Sequence, residues 1–323
     1  MTDPLLTAVV VTYRNTRDIG PCLRALDRAL DRWTSEVVVV DNASGDATPD
    51  LAQQACPRAR VLRSPENLGF GRGCNLGAAS ATGRYLLFVN PDAVLHEDAV
   101  GALLDCAARH RAAGIVGGRA VHPDGTPDPR SWWGRPSLWS AFCFATGLST
   151  AFPGHRQLDP ESAARWQGDE RAVPVVSGAL MLVKRPVWER LRGFDPAYFL
   201  YGEDADLCLR AADAGHRAYV APQALFTHRT GGSSTSSDRQ VLLFRGKATL
   251  ARRRFPRGMR TAGVVLLGFG VGLRAVLARV TRVSAARQGR PTVAPHTWGE
   301  LWARRREWLG GWRQEAGEQG AGG

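Results

Sequence analysis

No two of the six cysteines stand at Cys-x-x-Cys spacing; Cys22, Cys56, Cys74, Cys106, Cys143 and Cys208 occur singly. A structural zinc is therefore not expected. Isolated cysteines in a chain of 323 residues predict reduced thiols and a cytosolic protein. The opening MTDPLLTAVVVTYRN has no basic n-region and no cleavage site, so no signal peptide is expected. There is no internal repeat. Residues 239–290 contain 13 Lys and Arg and no acid. The net charge of +12 thus belongs to that stretch, and the remainder is about neutral. No aromatic-interleaved basic groove or known motif supports a nucleic-acid binder, and no nucleic-acid partner is expected.

What is present is alternation. Short apolar runs at 8–12, 37–40, 61–62, 85–89 and 115–121 read as strands. Between them, helices are predicted at 18–33, 48–55, 71–81 and 98–110. In the first, Ile19, Leu23, Leu26 and Leu30 recur at helical spacing. All-apolar strands alternating with helices imply an α/β protein, its mostly parallel sheet covered on both faces. Residues 122–172, rich in Pro, Gly and Trp at HPDGTPDPRSWWGRPSLW, read as loop. Order is expected again at 173–183, in helices near 186–191 and 205–214, and in a short strand at 217–221.

Ligands of such sheets sit beyond the carboxyl ends of the strands. Three tips qualify: 12–15, 41–44 and 90–92. At the second, Asp41 and Asn42 enter a turn with Ser44, Gly45 and Asp46. Plain turn chemistry competes there with a carboxylate accepting a base imide N–H. NLGFGRGCN (67–75) is glycine-rich but is neither G-x-G-x-x-G nor a P-loop, which disfavours a nicotinamide-dependent dehydrogenase. Its glycines imply close backbone approach to something, and Arg72 has the reach to contact a diphosphate. At the third tip Asp92 is either a helix cap or a ligand for magnesium or manganese, which prefer oxygen and share their shell with phosphate and water. In YGEDADLCLR, Glu203, Asp204 and Asp206 suit either the first turn of a helix or a general base. A lone His228 follows in a Gly/Ser-rich loop. No nucleophile–base signature is present.

Together VVVTYRN, VVVVDNASGD, ENLGFGRGCNLG, YLLFVNPDA, VSGALMLVKR and GFDPAYFLYGEDADLCLR, followed by His228, resemble the inverting glycosyltransferase family 2. The closest likeness is to its bacterial rhamnosyltransferase-like members. The six stretches occur in family order over about residues 7–235. The resemblance implies a GT-A fold, with a Rossmann-like sheet flanked by helices. It implies that Thr12 and Tyr13 line the nucleotide base and that Asp41, beside Asn42, binds its imide edge. Asn67, Gly69, Gly71 and Arg72 fall along the donor. Asn90, Pro91 and Asp92 stand where the family has its metal-binding Asp-x-Asp, with Asp92 and His228 as ligands for Mn2+ or Mg2+. Asn90 replaces the first acid, as in related members. Asp204 is implied as general base with Glu203 beside it, and Ser177, Gly178, Tyr201 and Gly202 border sugar and acceptor. A dTDP- or UDP-linked sugar, rhamnose first, and a glycan or polyprenyl-linked acceptor follow as expected partners. A basic nucleic-acid-binding protein, supported by the tail alone, and a catalytically silent member used for binding are the other readings; the intact Asp204 and Asp92 weigh against the second.

The expected division is a catalytic domain at 1–238, split into a nucleotide-sugar half (1–121) and an acceptor half (122–238). A basic helical extension (239–313) and a disordered tail (314–323) follow. Within the extension the apolar run 262–273 is shorter than the roughly 20 residues that span a bilayer. Val265, Phe269, Leu273, Val276 and Val280 share one helical face. That face either packs on the protein or lies on the inner face of a membrane, its arginines on anionic lipid.

Overall fold

The first four apolar runs pair in parallel, as their alternation with helices implies. The computed structural model describes residues 4–162, 168–228, 236–287 and 297–312; the tail expected at 314–323 lies outside them. In the first of two compact units, β1 (Leu6–Thr12), β2 (Ser35–Asp41), β3 (Arg60–Arg63) and β4 (Tyr85–Val89) are parallel in the order β3-β2-β1-β4. The sheet continues through β5 (Ala93–Leu95), β6 (Ala113–Val121), β8 (Arg171–Val173), β10 (Leu180–Lys184) and β11 (Arg217–His228), giving β3-β2-β1-β4-β10-β6-β11-β5 with β8 on β11. The short β7 (Trp132–Trp133) and β9 (Val175–Val176) form a separate ladder.

Both faces of the sheet are covered. Ala8, Val10, Val37, Val39, Leu87 and Val89 face one core with α1 (Ile19–Leu30), where Ile19, Leu23, Leu26 and Leu30 are fully buried. The alternate residues Val9, Val11 and Val40 meet α3 (Phe70–Ala79) on the other face, as the period of two demands. α2 (Thr48–Ala55) and α4 (Ala99–Arg109) complete the first half. Each fully buried Val or Leu contributes roughly 1.5–3 kcal/mol.

The sheet is mostly parallel, as expected, with β10 antiparallel to both β4 and β6. Three features depart from the sequence expectation. β5 is an unforeseen antiparallel strand on β11. β11 runs on to His228 instead of stopping at 221, with its register shifted between Val220 and Leu225, the stretch that holds Pro222. And 122–172 is not all loop: α5 (Leu138–Thr146), opened by a Ser137/Ser140 capping box, and α6 (Leu148–Ala151) form there. α7 (Arg185–Leu191) and α8 (Glu203–Asp213) lie close to their expected positions.

The compact units cut the chain elsewhere than the linear division at 238. The first holds Met1–Arg135, Pro160–Asp195 and Glu203–Ser234; the second holds Pro136–Asp159, Pro196–Gly202 and Thr235–Gly323. The second is helical: α5, α6, α9 (Ser236–Arg254), α10 (Arg260–Arg287), α11 (Thr297–Ala303) and α12 (Arg305–Trp308). Its core gathers Ala141, Val241, Phe244, Ala251, Phe255, Val264, Leu267, Val271, Leu301 and Trp308.

Candidate active site

The tips of β1 and β2 are level, with Thr12 opposite Asp41. Asn42 donates its backbone N–H to Thr12 O at 2.9 Å, and Ser64 N–H reaches Asp41 O at 2.8 Å. Beyond the tips, Arg14 N–H donates to Ser44 Oγ at 2.9 Å and Asn15 N–H to Thr48 Oγ1 at 2.9 Å. Arg14 and Ala43 hold φ of 50° and 59°, a left-handed geometry that non-glycine residues adopt at a cost. Within this stitched edge Thr12 Oγ1 and Asp41 Oδ1 are buried with no hydrogen-bond partner. A buried acceptor left so costs about 1–3 kcal/mol. Sites of that kind are kept where a ligand completes them. Tyr13 is half-buried beside them, with the Arg14 guanidinium 5.3 Å from its ring centre.

Asn42 and Asn67 do structural work. Asn42 Nδ2 donates to Asn67 Oδ1 at 2.9 Å and to Gly69 O at 3.1 Å, while Asn42 Oδ1 accepts from Leu68 N–H at 2.8 Å. Their amides lock the 67–69 turn to the tip of β2. Gly69 needs its φ of 77° to start α3. The later glycines are explained by packing. A Cβ at Gly73 would stand 2.7 Å from Val11 Cγ1, one at Gly77 2.5 Å from Val9 Cγ1, and one at Gly71 3.1 Å from Phe194 Cβ. The close approach read from the sequence is that of α3 to β1 at Gly73 and to Phe194 at Gly71. Arg72, exposed in the first turn of α3, pairs with Glu66 at 3.3 Å.

At the tip of β4, Asn90 N–H donates to Ala179 O at 2.9 Å, and Ala93 N–H closes the turn over Pro91 onto Asn90 O at 3.0 Å. Asp92 therefore leads into β5, not into a helix cap. In the antiparallel register of β5 and β11, His228 pairs with Ala93, one residue from Asp92. Burial first, and then the Asp92 carboxylate, push the Cys22 thiol up; that thiol donates to Asn90 O at 3.4 Å. The soft ligand is thus kept protonated. The turn offers the Asp92 carboxylate and Asn90 amide oxygens, a donor set that fits magnesium or manganese better than zinc.

Because β10 is reversed, its first residues return to this same edge, with Leu180 opposite Val89. Gly178 N–H donates to Asp204 Oδ2 at 3.2 Å, and Ala205 N–H to Asp204 Oδ1 at 2.8 Å. Burial raises the Asp204 carboxyl above its ordinary value, outweighing these N–H donors. Asp204 retains partial exposure, so it combines a strengthened basicity with access. Glu203 is buried, its Cβ 3.5 Å from where a Gly71 side chain would begin, and its charge helps raise the Cys74 thiol after burial. Asp206 is fixed by Arg210 at 2.6 Å, which settles it as a structural acid of the first helical turn. Ser177 Oγ accepts from Ala179 N–H at 3.2 Å and shapes the same turn. Tyr201 and Gly202 fall to the second unit, at φ of 66° and 99°, with Gly202 close against Tyr198.

Sequence reading passed over Asn75. It clamps Phe194 with two bonds of 2.9 Å, Nδ2 to Phe194 O and Phe194 N–H to Oδ1. It also passed over Cys106, His110 and Glu170, whose ligand-type atoms lie within 4.8 Å of one another. Glu170 is engaged there by Arg109 at 2.7 Å and His110 at 2.6 Å. Only the spacing of Cys106 and His110 on one helix could have signalled that cluster.

Residues 4–245 match the family model described as glycosyltransferase like family 2. The chain belongs to that family. A relative from Mycobacterium tuberculosis, N-acetylglucosaminyl-diphospho-decaprenol L-rhamnosyltransferase, is 33% identical over 260 residues, covering 77% of this chain and 83% of its own length. Rhamnosyltransferase WbbL of Escherichia coli is 26% identical over 200 residues, covering 58% and 71%. Among solved structures, mannosyltransferase PcManGT from Pyrobaculum calidifontis, in complex with GDP-Man and Mn2+, superposes with a TM-score of 0.57 at 18% identity. It covers 96% of this chain and 86% of its own. This likeness confirms the GT-A fold. The family 2 glycosyltransferase described here is an enzyme of the rhamnosyltransferase-like type, and its six cysteines are free and buried.

Proposed function

We propose that this glycosyltransferase transfers rhamnose from a dTDP- or UDP-linked donor, with inversion, to a hydroxyl of a polyprenyl-diphosphate-linked glycan on the cytoplasmic side of a cell envelope. The observation that carries the reading is the pair of buried acceptors, Thr12 Oγ1 and Asp41 Oδ1, on the sheet edge that also bears Asp92 and Asp204. Asp41 accepts the base imide N–H, and Tyr13 lines the base. Asn42 and Asn67 act by holding the 67–69 turn, with Arg72 near the diphosphate. The rhamnose and the lipid-linked acceptor rest on the names of the two rhamnosyltransferase relatives.

Asp92 and the Asn90 amide oxygen would hold a divalent ion, with His228, whose side chain lies outside the described residues, as a further ligand; the ion would supply charge neutralisation for the departing diphosphate. Asp204 takes the proton of the acceptor hydroxyl. The acceptor oxygen bonds to the anomeric carbon on the face opposite the diphosphate. The old carbon–oxygen bond breaks, and its electron pair leaves with the nucleoside diphosphate. One displacement inverts the centre and needs no enzyme nucleophile, in keeping with the absence of a nucleophile–base signature. Ser177 and Gly178 shape the turn that presents Asp204.

The test is a donor screen with a polyprenyl-diphosphate-linked N-acetylglucosamine acceptor, with and without Mn2+ or Mg2+. Turnover with dTDP- or UDP-rhamnose is expected. Turnover with another sugar alone would displace rhamnose. Absence of both binding and turnover with every nucleotide sugar would overturn the reading.

A further inference from the structure

We infer that α10 lies flat on an anionic lipid surface, with one side buried in its own unit and the other against the bilayer. The stretch Arg257–Thr281, at 25 residues, is long and apolar enough to cross a membrane. Its packing argues against crossing. Val264, Leu267 and Val271 are buried in the core of the second unit with residues of α5, α9, α11 and α12. Gly263 and Gly270 let that side close tightly: a Cβ at either would stand 2.6 Å from the ring of Phe255 or Phe144. Arg274 locks the same side, donating to Phe144 O at 2.7 Å and to Thr150 Oγ1 at 2.9 Å, its guanidinium 4.1 Å from the Phe144 ring centre. A spanning helix would have to leave this core and carry Arg274 into hydrocarbon.

The other side is apolar and uncovered. Val265, Phe269, Val276, Leu277 and Val280 are between 52% and 62% exposed. Four of them, at steps of 4, 7 and 4 residues, form one stripe along the helix. Soluble proteins seldom leave such a stripe to water. Charge names the occupant. Residues 239–290 hold 13 basic side chains and no acid. Arg252, Arg253, Arg257 and Arg279 among them are exposed. A helix with a packed back, an apolar front and arginines around it suits the interface plane of an anionic leaflet. Basic residues near that surface strengthen the attraction to anionic lipid. The inference stands on α10 and the basic residues that precede it and does not need the transferase reading, although a lipid-linked acceptor gives it a use.

The test uses the full chain with phosphatidylglycerol-containing vesicles and with phosphatidylcholine vesicles. Co-sedimentation with the anionic vesicles, weakened by salt, is expected. Phe269→Glu with Val276→Glu, both exposed positions, should bind at least about tenfold more weakly while keeping the wild-type Tm. Arg252→Glu with Arg257→Glu should remove the anionic preference. Alkaline carbonate should release the protein from cell membranes. Turnover on a water-soluble acceptor analogue should be unchanged in all variants, which separates this test from that of the reaction. Equal binding to both vesicles, no binding, or full binding by the Glu variants overturns the inference. So does carbonate resistance, which marks a spanning helix. A dimer in light scattering, dissolved by Phe269→Glu and unaccompanied by vesicle binding, assigns the stripe to a second copy and overturns it as well.

Discussion

Asp204 Oδ2 accepts the backbone N–H of Gly178 at 3.2 Å, so the proposed base is held by a peptide group and not by a charged side chain. One residue further on, Ala179 O takes the N–H of Asn90 at 2.9 Å. The corner proposed for the metal and the proposed base are thus joined through two consecutive residues of one turn. Asp204→Asn keeps the side chain's shape and one of its two acceptor oxygens, and removes the base. We expect kcat to fall about 10²–10⁴-fold with donor binding retained. Full turnover in this variant would take Asp204 out of the mechanism.

The same carboxyl sets a pH dependence. Burial raises it above the ordinary aspartate value. Only the ionised form accepts a proton, so kcat/KM should rise with pH through an acid limb above about 3.9. For stability the sign is opposite. The folded protein holds this proton more tightly than the unfolded chain. Its contribution is full below the unfolded pKa and is lost as pH rises through the folded value. Asp204→Asn should abolish both the limb and that loss, as read by pH–rate profiles and by denaturation at several pH values.

Asp41 carries an unpaired buried oxygen, so it should serve binding at the expense of stability. Asp41→Asn is predicted to weaken nucleotide binding by about 1–3 kcal/mol and to leave Tm unchanged or higher. Calorimetric titration with UDP and dTDP, beside thermal denaturation, checks the pair of outcomes. A lower Tm with intact binding would make Asp41 a structural residue.

Asp92→Ala should remove the Mn2+ or Mg2+ dependence of donor binding. Asn90→Asp, which restores a second acid, should strengthen metal binding by adding a charged oxygen. Nucleotide titrations across metal concentrations decide it. Equal metal response in wild type and both variants would place the ion elsewhere.

Gly77→Ala should destabilise the fold by about 1–3 kcal/mol, because the new methyl meets Val9 Cγ1 at 2.5 Å. Pairing it with Val9→Ala should recover part of the loss. Chemical denaturation of the single and double variants measures the coupling.

Much of this was legible in the residues. The valine runs of β1 and β2 and the leucine spacing of α1 carry their own period. Asp41 and Asp92 stood out as acids at the ends of such runs, and Asp204 in the acidic cluster YGEDADLCLR. What could not be read has physical causes. Strand direction leaves no trace in periodicity, so the reversal of β10 was invisible, and with it the turn that holds Asp204. β5 is three residues long, too short for a pattern. Pro222 disguised β11 as a short strand, because a proline argues against a continuing ladder. The glycines at 69–73 implied close approach without naming a partner, because the residues that approach, Phe194 at Gly71 and Val11 at Gly73, are far away in sequence. In α5 the Trp- and Pro-rich approach hid the cap at Ser137.

The reversal of β10 has a topological consequence. β6 ends, and β10 begins, at the edge of the sheet that bears Asp41 and Asp92. Among the described residues between them, β8 joins the same sheet on β11 before the 177–179 turn returns to that edge. The entropy of closing a loop grows only slowly with its length, so the connections around β8 can lengthen while β8 and the turn that holds Asp204 must stay.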